Sequence, residues 1–261
     1  MTTFHSSGDP LGIDAFDHAR AILDIDAATL WAVLQVESRG FGFLPSRRPV
    51  IRFERQVFHR LTGGRFDQEH AEFSNATPGG YLGGAAEYAR LNGASMLDED
   101  AAFKSTSWGI GQLMGFNYEY IGYTSVQQMV DAMVGSEDEQ LWSTSAFLEE
   151  WGLNYSLHDH DWDEFAERYN GAEAGPGTDC DGYAARLAAA HARFQLQLPD
   201  LDVRFAQVAL FYLGFDPGPI DGIIGPRTRA ALIAFQRKRR FAVTGRLDSR
   251  MTDVLCMAAF V

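Results

Sequence analysis

Glu37 is the residue best placed to do chemistry. It lies near the end of Asp26-Ala-Ala-Thr-Leu-Trp-Ala-Val-Leu-Gln-Val-Glu-Ser-Arg-Gly, whose pattern predicts one helix, with Asp26 able to cap its start and Gly40 able to end it. Leu30, Val33 and Leu34 mark its apolar face at helical spacing, and Glu37 falls next on that face. A carboxylate on a core-facing stripe is costly. Either it is paired with a cation or hydrogen-bond donors, or its pKa is raised and it acts as an acid near neutral pH. A second carboxylate, Glu54, stands in Phe53-Glu-Arg, where it can assist Glu37 or form an ion pair with Arg39, Arg52 or Arg55. His158-Asp-His160 offers two imidazoles, but no further ligand stands at metal spacing in the chain. It reads as a solvated loop, and no metal is expected.

The elements that must hold these residues are mainly helical. Periodicity predicts helices over 13–23, 27–38, 54–61, 85–92, 126–134, 137–150, 162–169 and 182–195, with Gly-rich breaks between them. A short extended segment is expected within 45–53, and a Gly-rich loop over 171–181. Pro199, in Gln195-Leu-Gln-Leu-Pro-Asp, stops the long preceding helix and marks a short linker. A second unit then reads as three helices over 203–213, 226–239 and 248–257, with Pro226 at a first helical position and Asp248 as an N-cap. The expected division is 1–198 and 199–261.

Composition excludes several classes. The 261 residues, 46% hydrophobic, suffice for one ordinary domain and a small one. No stretch approaches the roughly 20 apolar residues of a membrane span, and the N-terminus shows no basic segment followed by an apolar run. Cys180 and Cys256 read as two reduced thiols. Net charge is −13, yet the segment from Pro199 onward holds nine Arg and Lys against six Asp, a net of +3, leaving −16 for residues 1–198. So acidic a larger unit argues against nucleic-acid binding. The basic run Arg237-Lys-Arg-Arg240 suits the end of a helix.

Three segments of the larger unit belong together: Gln35-Val-Glu-Ser-Arg-Gly, Thr106-Ser-Trp-Gly-Ile-Gly-Gln-Leu-Met-Gly-Phe and Ala166-Glu-Arg-Tyr-Asn-Gly-Ala. In type and order they resemble the goose-type lysozyme and lytic transglycosylase superfamily. The stretch Gly42-Phe-Leu-Pro-Ser-Arg-Arg-Pro-Val-Ile-Arg-Phe-Glu-Arg-Gln-Val-Phe-His is similar to one branch, the N-acetylmuramidase domain of phage endolysins. The resemblance implies a lysozyme-like helical fold with Glu37 as the catalytic acid. It implies that Ser107, Gln112 and Asn170 grip sugar hydroxyls and N-acetyl groups, and that Trp108 and Tyr169 offer flat faces to sugar rings. Gln112 takes the cleft position by its place in the loop, because this chain reads Gly-Ile-Gly-Gln-Leu-Met where the family has Gly-Leu-Met-Gln. Glu54 recurs in the family segment and can orient Glu37, bind sugar or activate water.

In the second unit, Phe205-Ala-Gln-Val-Ala-Leu-Phe-Tyr-Leu-Gly-Phe, Gly218-Pro-Ile-Asp-Gly-Ile-Ile-Gly-Pro-Arg-Thr-Arg-Ala-Ala-Leu-Ile-Ala-Phe-Gln and Val243-Thr-Gly-Arg-Leu-Asp resemble the three-helix peptidoglycan-binding domain. That resemblance offers Asp221, Arg229 and Gln236 as wall-contacting residues, with a purely structural turn as the other reading of Asp221. Together the two resemblances imply a monomeric, cofactor-free peptidoglycan hydrolase that cuts the β-1,4 bond between N-acetylmuramic acid and N-acetylglucosamine. It would be made in the host cytoplasm and act on the wall in the periplasm. A lytic transglycosylase giving anhydro products, or a non-catalytic wall-binding protein, are the alternatives.

Overall fold

The computed structural model describes residues 4–171 and 180–261, without the side chains of 170, 171 and 181. Helices α1 (Ile13–Leu23) and α2 (Ala27–Ser38) open the chain. Strand β1 (Ile51–Phe53), helix α3 (Arg55–Thr62), helices α4 (Glu87–Ser95) and α5 (Glu99–Lys104), and strands β2 (Thr106–Trp108) and β3 (Leu113–Met114) follow. Then come α6 (Val126–Gly135), α7 (Glu137–Glu150), α8 (Asn154–His158), α9 (Trp162–Ala166), a π-helical turn (Glu167–Gly171) and the long α10 (Cys180–Leu196). The last three helices are α11 (Leu201–Tyr212), α12 (Pro226–Lys238) and α13 (Ser249–Phe260). The expected helices are present, and β1 fills the expected extended segment. Two short helices, α5 and α8, and the pair β2–β3 carry too few residues to give a periodic signal.

Local chemistry sets the helix boundaries. Asp26, Asp200 and Asp248 cap α2, α11 and α13 by accepting the backbone N–H groups of Thr29, Val203 and Met251 at 2.7, 3.0 and 2.8 Å. At the end of α2, Arg39 takes the left-handed conformation (φ 60°) and Gly40 N–H donates to Leu34 O at 3.1 Å, closing the turn. Helix α2 is buried from Ala28 through Leu34 in the main core, with Trp31 packed on Phe16 at 4.7 Å. Helix α10 lies along it. The small sheet has order β1-β2-β3, antiparallel throughout. Its edge is fixed by a buried ion pair, in which Arg90 Nη1 donates to Phe53 O and to Glu87 Oε2, both at 2.8 Å, while Glu87 Oε2 accepts Phe53 N–H at 3.2 Å.

The second unit packs directly on the first rather than hanging from a linker. Arg204 of α11 and Glu137 at the start of α7 are both 0% exposed. Arg204 donates to both carboxylate oxygens of Glu137, at 2.8 and 2.7 Å, and through Nε and Nη2 to Gly40 O at 3.2 and 2.6 Å. The same carboxylate accepts the N–H groups of Leu11 and Gly42, each at 2.8 Å. Around this pair Phe41 and Phe43 cluster with Val208 and Ile220, and Phe211 and Tyr212 pack on them. Gly40 (φ +84°) sits where a Cβ would meet Ile220 O at 2.7 Å, so only glycine permits this approach of the two units.

A buried ion pair is far more sensitive to losing one partner than to losing both. Glu137→Gln and Arg204→Met should each lower the unfolding free energy by roughly 3–5 kcal/mol. The double variant should cost clearly less than the sum, because no unpaired charge is left behind. Urea denaturation of the three proteins measures this; additive losses would mean that the pair is not coupled.

Candidate active site

A cleft of about 280 Å³ opens where α2, the sheet, α7, the π-helical turn and α10 converge. Val36 and Glu37 emerge into it from the last turn of α2. From the sheet, Arg52, Ser107 and Met114 point into it as one cross-strand row, since Arg52 pairs with Ser107 and Ser107 with Met114 in register. The pleat puts Ile51, Phe53 and Trp108 on the opposite, core-facing side.

Glu37 is half-buried in the cleft wall. Removal from water pushes its carboxyl up from 4.5 to about 7. Three groups work the other way: Tyr183 of α10 donates its hydroxyl to Glu37 Oε1, and Arg52 and Arg186 act by charge. Burial wins, so the acid holds its proton in near-neutral water. The same burial and the neighbouring carboxyl raise Tyr183 well above the usual phenol range, so that hydroxyl serves as a donor.

Glu54 lines the same cleft. Its Oε2 accepts the Tyr81 hydroxyl at 2.6 Å and the Gln56 amide at 2.7 Å. Among the described residues no arginine forms an ion pair with it: Arg55 is engaged with Thr77 O and Pro78 O, and Arg52 lies over the Tyr81 ring at 5.1 Å. Tyr81 is pushed up to about 12 by burial and by its bond to Glu54.

The other expected site residues divide. Ser107 and Gln112 both line the cleft, with Ser107 Oγ donating to Gln112 Oε1 at 3.0 Å. Gln112 (φ 51°) also donates to Gly109 O at 2.8 Å, so part of its amide braces the loop. Tyr169 presents one face to the cleft, stacks on Phe165 at 5.1 Å and donates its hydroxyl to Gly111 O at 2.6 Å. Trp108 is a correction. It is 0% exposed, packed against Phe4 and Phe103, with its indole N–H donated to Phe103 O at 3.2 Å. Strand alternation sends Ser107 to the cleft and therefore Trp108 to the core. Asn170 was also expected here; its side chain lies outside the described residues.

The wall-contact candidates divide as well. Asp221 is buried, ion-paired to Arg193 of α10 at 2.5 Å and accepting Gln207 and the Ile223 N–H at 3.1 Å each. It is a turn brace that faces the larger unit. Gln236, expected to line a groove, is buried; its oxygen accepts the N–H groups of Thr244 and Gly245 at 2.9 Å each. Only Arg229 of the three is exposed.

Sequence reasoning missed Tyr183, Arg186, Arg52, Tyr81 and Gln56 as lining residues. Tyr183 and Arg186 stand three residues apart on one face of α10, a spacing that signals a shared face but not which partner it meets.

Comparison with known proteins gives the family of each unit. The family model for N-acetylmuramidase matches residues 26–195, and one for a peptidoglycan binding domain matches residues 199–255. A crystal structure of the Burkholderia AP3 phage endolysin is similar, with 36% sequence identity and a TM-score of 0.63 over 75% of this chain and 72% of that one. No curated protein matches.

Because the Tyr183 hydroxyl holds the Glu37 pKa down, Tyr183→Phe should raise it. The alkaline limb of the pH–rate profile should then move to higher pH, with a lower maximal rate from a less well-oriented carboxyl. A limb that stays in place or moves down would separate Tyr183 from the titration of Glu37.

Proposed function

Because the chain belongs to the N-acetylmuramidase family, we propose that Glu37 is the general acid with which it cleaves the β-1,4 bond between N-acetylmuramic acid and N-acetylglucosamine. It is an endolysin-like peptidoglycan hydrolase, and peptidoglycan is its partner. The observation that carries the assignment of Glu37 is its place in the cleft wall beside Arg52, Tyr183 and Arg186, where burial raises its carboxyl to about 7. In this reading Glu37 gives its proton to the glycosidic oxygen as the bond to the muramic C1 breaks. The carboxylate so formed is then stabilised by Tyr183, Arg52 and Arg186, an interaction stronger after proton transfer than before it.

Glu54 is the second carboxylate of the reading. Held by Tyr81 and Gln56, it takes the proton of the water that adds to C1, so that the product ends in a reducing sugar. Ser107, Gln112 and Tyr169 hold the sugar chain, and Arg229 offers the wall-binding unit an exposed cation for an anionic polymer. The proposed units are 1–198 for catalysis and 199–261 for wall binding. The protein is proposed to act as a monomer, made in the cytoplasm and working on the wall in the periplasm. Among the described residues no helix is long and apolar enough to cross a membrane.

Glu37→Gln should reduce cleavage of purified peptidoglycan by at least ~10²-fold, and wild-type activity should fall as pH rises through about 7. A tenth or more of wild-type activity in the variant would overturn the assignment. Stability should move the other way. The folded-state pKa lies above the unfolded one, so ionising Glu37 costs stability from about pH 4.5 upward and fully so above about 7. The variant should therefore gain over wild type across that window and not below it. Mass analysis of the wild-type products should find reducing ends; anhydro ends, one water lighter, would remove Glu54 from its role as base.

A further inference from the structure

Far along the α2–α10 pair from the cleft, three residues distant in the chain meet. Asp26 caps α2 through Oδ1, which accepts Thr29 N–H at 2.7 Å. Its Oδ2 faces His191 Nε2 of α10 at 3.7 Å. His160, in the turn between α8 and α9, adopts a left-handed conformation (φ 57°) that brings its ring to 4.3 Å from that of His191. Trp162 stacks against His160 at 5.4 Å and closes one side. One ligand atom from each of Asp26, His160 and His191 lies within 4.8 Å of the other two.

One feature of this cluster is not explained by packing. The His191 side chain is 9% exposed, yet its Nε2 has no hydrogen-bond partner among the described residues. A buried imidazole nitrogen without a partner is destabilising, and native structures rarely leave one. Nε2 points at the Asp26 carboxylate and the His160 ring. We propose that Asp26, His160 and His191 form a binding site for a divalent transition-metal ion of the zinc class.

The donor set selects that class. Two imidazole nitrogens and one carboxylate oxygen suit Zn²⁺, Ni²⁺ or Cu²⁺, whereas Mg²⁺ and Ca²⁺ require oxygen ligands. Tetrahedral zinc with bonds of about 2.0–2.2 Å spaces its ligand atoms roughly 3.3 Å apart. The ligand atoms lie within 4.8 Å of one another, so exposed Asp26 and His160 must close toward buried His191 to reach that spacing. Three protein ligands leave the fourth position to water. Thr29 Oγ1, 3.0 Å from His160 Nε2, is a neighbour able to steer that ring. His158 is not part of the site; its Nδ1 meets Asp24 O at 2.6 Å.

The site is structural rather than catalytic. Asp26 precedes Glu37 by eleven residues on α2, about 16 Å along the axis, and His191 follows Tyr183 by eight on α10, about 12 Å. The ion would clip together one end of the two helices whose other ends bring Glu37 and Tyr183 into contact. It therefore holds their register without touching substrate.

The test uses the full chain, stripped with EDTA, and Zn²⁺ as the probe, with Mg²⁺ as control. Calorimetric titration should give one equivalent of Zn²⁺ per chain, and Zn²⁺ but not Mg²⁺ should raise Tm by several degrees. Co²⁺ should bind with visible absorption of a tetrahedral centre. Asp26→Asn keeps a capping side chain, and His160→Gln alters an exposed residue, so both should fold with a metal-free Tm near wild type. Each should weaken Zn²⁺ binding by at least about tenfold and abolish the Tm rise. Absence of stoichiometric binding in the wild type overturns the proposal, as does binding that survives both substitutions.

Discussion

The buried pair Arg204–Glu137 is the interaction on which the rest of the structure depends. Two charges have been taken out of water at the junction of α7, α11 and the loop that follows the Glu37 helix. Such a pair is tolerated only when every remaining donor and acceptor is matched. Here Glu137 accepts Leu11 N–H and Gly42 N–H, and Arg204 donates to Gly40 O. The carbonyl of Gly40 lies three residues beyond Glu37. One network therefore joins the small unit, α7 and the chain leaving the Glu37 helix, and α2 cannot shift without disturbing a buried charge.

Fixing α2 matters because the acid depends on a balance of opposed effects. Burial raises Glu37, while Tyr183, Arg52 and Arg186 lower it, and the result near 7 exists only while all four stay in place. They come from three separate supports: Arg52 from a strand pinned by Glu87 and Arg90, Tyr183 and Arg186 from α10, and burial from the core beneath α2. The proposed role of Glu37, protonated before the reaction and charged after it, requires this opposition.

The small unit is docked, not merely tethered. Arg193 of α10 reaches Asp221, Tyr212 donates to Gly8 O, and Arg47 stacks over Tyr212 at 4.1 Å. A docked unit presents its exposed surface at a fixed orientation to the cleft.

Much was legible in the sequence wherever a local rule governed the outcome. Asp26 and Asp248 are caps because a short acceptor before an apolar run has one geometry to offer, and Glu37 on a core-facing stripe announced its own cost. Two family resemblances followed from ordered local motifs. Tertiary structure decided what depends on residues far apart in the chain. The pleat of a three-residue strand sent Ser107 to the cleft and Trp108 to the core. Tyr183 found Glu37 across 146 positions and Arg204 found Glu137 across 67. Gln236 and Asp221 were drawn into bracing turns, because buried backbone and side-chain groups must be satisfied before a ligand is. Periodicity shows which face of an element turns inward; it carries no information about which other face it meets there, and partner choice sets the charge state and role of each polar residue.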